Sequence, residues 1–122
     1  VCGTENKSEH YLGYFTRFGD SASDVEPIAS LYKTEVRELA TQLNLPAQFL
    51  SKKPSAGLWE NQTDEQELGF TYEQADAVLR QLIDEKKKSS EIIIDGIDAE
   101  IIQRIIARIE QQAFKLEVPY RL

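Results

Sequence analysis

The stretch that decides the fold is Val1-Cys2-Gly3-Thr4-Glu5-Asn6-Lys7-Ser8-Glu9. Val1 to Gly3 read as the last residues of a buried strand with no start signal before them, so the chain looks cut from something longer. Gly3 and Thr4 then make a loop, and a short helix is expected over Asn6 to Leu12, ending near Gly13. The segment thus puts a small residue, a hydroxyl, a cation and a carboxylate at the C-terminal edge of a parallel strand, where open α/β sheets bind ligands. The same residues equally suit an ordinary strand-to-helix turn capped by Thr4 or Asn6.

Three longer helices follow from periodicity. Leu31, Val36, Leu39, Ala40 and Leu43 define the first, stopped at Asn44 and Pro46. Thr71 and Gln74 form a capping-box pair for the second, whose stripe is Ala75, Val78, Leu79, Leu82 and Ile83, with Lys86 to Lys88 solvated at its C-terminal end. Asp98 is the N-cap expected for the third. Its band of Ile101, Ile102, Ile105, Ile106 and Ile109 is too wide for one neighbour and calls for the rest of a sheet or a second subunit. Glu91 to Asp95 suits either a strand or a helical turn, and the turn is preferred because Ser90 and Gly96 frame it. Gly19 to Pro27 and Pro54 to Gly69 are polar loops, the usual home of ligand contacts.

Bulk composition narrows the function. The 122 residues support one apolar core. A net charge of −7, from 14 basic and 21 acidic residues, opposes a nucleic-acid partner yet permits a nucleotide, which needs only a few placed cations. A single cysteine, Cys2, excludes an internal disulfide and a multi-cysteine metal site, and is expected to be a buried strand residue. No stretch approaches the ~20 apolar residues of a membrane span. Cytoplasm is the location these features leave as the default.

Individual side chains carry chemistry with different force. Glu9 could hold magnesium, which takes one or two protein carboxylates with phosphate oxygens and water, although a lone Glu in a first helical turn is more often exposed. His10, the only histidine, has no partner for a metal or triad role. Lys33 opens a helix where the dipole disfavours a cation, which hints at a phosphate partner. Arg17, among Tyr14, Phe15 and Phe18, suits stacking on a base or on those rings. Trp59 in its Gly-flanked loop suits a lid.

Taken in order, Gly3-Thr4-Glu5-Asn6-Lys7-Ser8-Glu9, Leu12-Gly13-Tyr14-Phe15-Thr16, Gly19-Asp20, Pro27-Ile28, Lys33-Thr34-Glu35-Val36, Pro54-Ser55-Ala56, Gln62-Thr63-Asp64-Glu65 and Leu68-Gly69 resemble NAD synthetase over nearly the whole chain. The resemblance implies an α/β, Rossmann-like parent of the ATP pyrophosphatase group, with this chain as its mostly helical C-terminal half. It implies a ligase: ATP adenylates the nicotinate carboxylate of deamido-NAD, and ammonia displaces AMP to give NAD, with magnesium as cofactor. Carried over by motif, Thr4, Lys33 and Ser55 bind ATP, Glu9 holds magnesium, and Arg17, Asp24 and Lys115 bind deamido-NAD. Lys33, Asp20 and Glu67 are the catalytic candidates; Asp64 matches a further acidic loop position. Pro54 to Gly69 resembles a mobile lid.

The resemblance also implies a homodimer with deamido-NAD near the subunit interface. Two departures stand out. Phe114 replaces a frequent histidine before Lys115 in the motif that runs on through Leu116, Glu117, Val118 and Pro119, and the family's Ser-Gly-Gly-x-Asp-Ser pyrophosphate loop is not in this chain. The chain alone is therefore expected to be inactive. A non-catalytic fragment or paralogue serving as a nucleotide-binding or dimerisation module is the alternative, and a GMP synthetase relative is disfavoured by Arg17 and Asp24.

Overall fold

The computed structural model describes residues 1–117. Val118 and Pro119, the end of the terminal motif, lie outside the described residues.

Helix α1 is Lys7–Leu12. Asn6 and Glu9 form a reciprocal capping box, the Glu9 amide donating to Asn6 Oδ1 at 3.1 Å and the Asn6 amide to Glu9 Oε2 at 3.2 Å. Gly13 ends the helix at φ 60°, a left-handed position that glycine takes without a Cβ clash. Helix α2 is Lys33–Gln42, and Asn44 at φ 53° turns the chain out of it. Pro46, expected only as a stop, also starts a further short helix, α3, Ala47–Ser51. Proline suits a helix start because its missing amide would have no partner there.

Helix α4, Asp64–Leu68, falls inside the stretch expected to be all loop. Thr63 caps it through the Gln66 amide, and Gly69 closes it at φ 79°. Both signals were in the sequence, but five residues are too few to show a 3.6-residue period. Helix α5, Tyr72–Leu79, has the capping box expected of Thr71 and Gln74 and continues as a π turn, Arg80–Asp84. Lys86 to Lys88 lie beyond that turn. Helix α6 is Ala99–Gln112, followed by a 3₁₀ turn, Ala113–Leu116; Asp98 occupies the N-cap position without a side-chain cap bond. The turn expected over Glu91 to Asp95 sits earlier, at Ser89–Glu91, because the buried Ile92 pulls the chain on into an extended backbone.

Two further expectations are corrected. The strand at Val1 to Gly3 is only an isolated parallel bridge between Cys2 and Val25, supported by the Gly3 amide on the Val25 carbonyl at 2.8 Å. One bridging residue cannot propagate a ladder, and Cys2 is exposed rather than buried. The isoleucine band of α6, for its part, finds cover within this chain. Ile102, Ile105 and Ile106 are buried with Leu12, Phe70, Tyr72, Ala75 and Val78 from α1, α5 and the turn between α4 and α5, while Ile101 and Ile109 pack at the edge. At about 1.5–3 kcal/mol for each fully buried aliphatic side chain, this α1–α5–α6 cluster is the principal source of stability.

Candidate functional site

The cluster fixes α1, α5 and the start of α2 against one another, and a cleft of about 500 Å³ opens beside them. Its walls come from the opening loop, α1, the Tyr14 to Asp20 loop, the first residue of α2 and the Ser55 to Leu58 loop. Thr4, Glu9, Asp20, Lys33 and Ser55, predicted separately from five segments, all line it. Gly3 is required by close approach: a Cβ there would lie 2.6 Å from Ser23 Oγ.

Lys33 and Glu9 are paired, Nζ to Oε1 at 2.7 Å, with the ammonium 5.2 Å from the centre of the Tyr72 ring. A buried group resolves the dipole penalty on Lys33. Asp76, 2% exposed on α5, accepts the Thr34 amide at 2.9 Å and the hydroxyl of the fully buried Ser8 at 2.5 Å. Ser8 Oγ in turn accepts the Lys33 amide at 2.8 Å. A carboxylate from another helix thus caps α2, whose own N-cap residue, Tyr32, makes no side-chain cap bond. Sequence reasoning missed Asp76 and Ser8; the available signal was a carboxylate between Ala75 and Val78 in the apolar stripe of α5.

Asp20 is exposed, and its Oδ2 accepts the Thr16 amide at 2.9 Å, which shapes the loop it stands on. Glu67 lies in an adjoining cleft of about 180 Å³ that shares Tyr14 and Asp20 with the first and adds Arg108 and Lys115. Its Oε2 accepts the Tyr14 hydroxyl at 2.9 Å and Gln62 Nε2 at 3.0 Å, while Gln62 Oε1 accepts the Leu58 amide at 2.8 Å. The Trp59 loop is thereby tied to the floor of the site, and Trp59 itself is exposed. Burial, followed by the Glu67 hydrogen bond, pushes the Tyr14 phenol well above its ordinary range; burial and the nearby carboxylates of Glu9 and Asp64 do the same to Tyr72. Both phenols are neutral donors.

Lys115 Nζ donates to the carbonyls of Gly13 at 2.7 Å and Phe15 at 3.1 Å, holding the chain where it leaves α1. Burial, with Arg108 nearby, lowers its pKa. Arg17 lies on another face, in a hollow of about 260 Å³ with Glu5, His10 and Lys115, and its Nη2 donates to the carbonyls of Phe114 at 3.1 Å and Glu117 at 2.6 Å. His10 is at the surface, Nδ1 2.9 Å from Glu5 Oε1. Asp24 lines none of these hollows and pairs with the α-amino group of Val1.

Among the described residues no group of three or more His, Cys, Asp or Glu side chains could hold a metal ion. Glu9 alone, with Lys33 on one oxygen and the Asn6 amide on the other, fits only a cation that completes its shell with phosphate oxygens and water, as magnesium does. No described helix is long and apolar enough to cross a membrane.

The sequence profile of NAD synthase matches residues 1–119. An NH3-dependent NAD+ synthetase of Fusobacterium nucleatum is 44% identical over 119 residues, covering 98% of this chain and 46% of the relative. One from Pyrococcus horikoshii is 48% identical over 120 residues, covering 98% and 47%. Among solved structures, an NMN synthetase from Francisella tularensis superposes with a TM-score of 0.79 at 37% identity, over all of this chain and 46% of that one. An NH3-dependent NAD synthetase from Campylobacter jejuni superposes at 0.70 with 34% identity, over all of this chain and 44% of that one. The chain spans about half the length of the curated relatives it matches.

Proposed function

The chain belongs to the NAD synthase family, and on that premise we propose that it is the C-terminal half of an NH3-dependent NAD synthetase with a Rossmann-like α/β parent fold. The parent joins ammonia to deamido-NAD at the expense of ATP: the nicotinate carboxylate attacks the α-phosphorus of ATP and pyrophosphate leaves, then ammonia attacks the acyl carbon and AMP leaves. Adenylation is needed because a carboxylate is a poor electrophile and AMP a good leaving group. The observation that carries the reading is the convergence of Thr4, Glu9, Asp20, Lys33 and Ser55 on one cleft.

Lys33 binds the ATP phosphates, and Thr4 and Ser55 supply hydroxyls to the nucleotide. Glu9 holds magnesium, which when bound neutralises the departing pyrophosphate. The Lys33–Glu9 pair is a resting arrangement suited to this division: phosphate draws the ammonium away, and the released Glu9 oxygen becomes a ligand. Lys115 spends two of its three N–H donors on Gly13 and Phe15 and keeps one for deamido-NAD, which Arg17 and Asp24 also contact. Asp20 and Glu67 place negative charge beside the reacting carbon, where the ammonia nucleophile arrives. The Pro54 to Gly69 segment closes over the substrates, and the parent is a cytoplasmic homodimer without nucleic-acid or membrane partners.

The test is NAD formation by the full-length protein from deamido-NAD, ATP, magnesium and ammonia, with nicotinate mononucleotide run in parallel because an NMN synthetase shares the fold. Lys33→Ala should lower kcat/KM by roughly 100-fold or more, the usual scale for removing one transition-state cation or donor. Wild-type protein that folds but makes neither product would refute the reading and leave a binding or dimerisation module.

A further inference from the structure

Asp64 is 4% exposed at the start of α4 and lines the same cleft as Lys33 and Ser55. Its amide donates to the Pro54 carbonyl at 3.0 Å and its Oδ2 accepts the Tyr72 hydroxyl at 3.1 Å. Its other oxygen, Oδ1, is buried and has no hydrogen-bond partner. Helix capping does not explain it, since Thr63 performs that role. Buried carboxylate oxygens are rarely left without a donor, because the desolvation cost is then uncompensated.

The surrounding groups show what is missing. Tyr72 of α5 already donates to Oδ2, and Tyr14, from the chain after α1, donates to Glu67. Lys33 of α2 is committed to Glu9 of α1. With that pair neutral, Asp64 and Glu67 leave net negative charge between the rings of Tyr14 and Tyr72. No resident cation offsets it. The position therefore calls for a small cation that carries its own N–H donors and tolerates aromatic faces. Because Oδ1 is enclosed, a bulky amine is excluded.

We propose that Asp64 Oδ1 is the docking point for an ammonium ion, held in the cleft by Asp64, with Tyr14 and Tyr72 as walls. The inference rests on the reading in which ammonia is the nitrogen donor, and adds to it the residue that receives ammonia as it enters. Asp64 is a binding and positioning residue here, distinct from Lys33 and Glu9, which face the nucleotide.

Two measurements on the full-length protein test it. In steady-state kinetics with ammonium varied, Asp64→Asn, which keeps the side-chain shape, should raise the KM for ammonium by about tenfold, the size of one charge-assisted hydrogen bond. The KM values for ATP and deamido-NAD should stay within about twofold. Asp64→Glu, which retains the charge, should recover part of the ammonium affinity. A purely structural role would move all three KM values together and show no such rescue. Independently of catalysis, ammonium chloride should raise the wild-type Tm above sodium chloride at equal ionic strength, and Asp64→Asn should abolish the difference.

Unchanged ammonium KM in an Asp64→Asn enzyme that still makes NAD overturns the site and leaves the function standing. An ammonium-specific, Asp64-dependent Tm shift in a protein that makes no NAD overturns the function and keeps the site. Potassium chloride matching ammonium chloride in the wild-type Tm overturns the assignment to the nucleophile.

Discussion

Replacing Asp76 with alanine removes the acceptor for two buried donors, the Thr34 amide and the Ser8 hydroxyl, and strips the only carboxylate bonded to the amides that open α2. Each buried donor left without a partner costs about 1–3 kcal/mol. Losing the charge at the helix N-terminus adds about 0.3–1 kcal/mol, and up to ~2 kcal/mol where the site is buried, as here. The sum, about 3–6 kcal/mol, is a large part of the 5–15 kcal/mol that holds a typical domain together. Asp76→Asn keeps one acceptor and the shape and should cost about half as much. Denaturant unfolding of wild type and both variants measures this directly, with the m-value checking that the transition is unchanged. Because Ser8 also receives the Lys33 amide, the folded fraction of either variant should bind nucleotide less tightly than wild type. An Asp76→Ala protein within about 1 kcal/mol of wild type would refute the claim that this carboxylate builds the site.

Other expectations follow from the same structure. Gly13→Ala should lower stability by about 2 kcal/mol or more, read as Tm, because φ is 60° and the new Cβ would meet Gln112 Cβ at 2.4 Å. Lys115→Met should cost about 1–3 kcal/mol in the absence of any substrate, since two carbonyls lose their donor; unchanged Tm would mean that Lys115 serves the ligand alone. The hydrogen bond from Lys7 holds the Asp84 carboxyl below its ordinary range, and the Tyr32 amide does the same for Glu35. A depressed folded pKa contributes stability above the unfolded value and loses it as pH falls through the folded one. Stability should therefore decline on acidification below the ordinary carboxylate range, and Asp84→Asn with Glu35→Gln should flatten that acid limb in pH-dependent unfolding.

Several local features were legible in the residues themselves. Thr71 with Gln74 and the isoleucine spacing of α6 mark their helices because capping and periodicity act within a few residues. Helices α3 and α4 were not legible, since one or two turns show no period. The network around Asp76 was hidden for a different reason. It joins Ser8, Thr34 and Asp76, which are far apart in the chain, and a polar residue in an apolar stripe does not announce its partners. Cys2 was misjudged as buried because its neighbours Val1 and Gly3 look like strand, whereas pairing depends on what lies alongside.

Sequence alone determined the helical content, the caps and the membership of the motif set that groups Thr4, Glu9, Lys33 and Ser55, because each is a matter of residue type and short-range spacing. Only the tertiary structure decided that Glu9 and Lys33 are paired, that Arg17 and Asp24 lie apart from the main cleft, and that Asp64 keeps an oxygen without a donor. Those facts depend on burial and on contacts between distant segments, where removal from water sets both the cost of a missing partner and the strength of the one that is found.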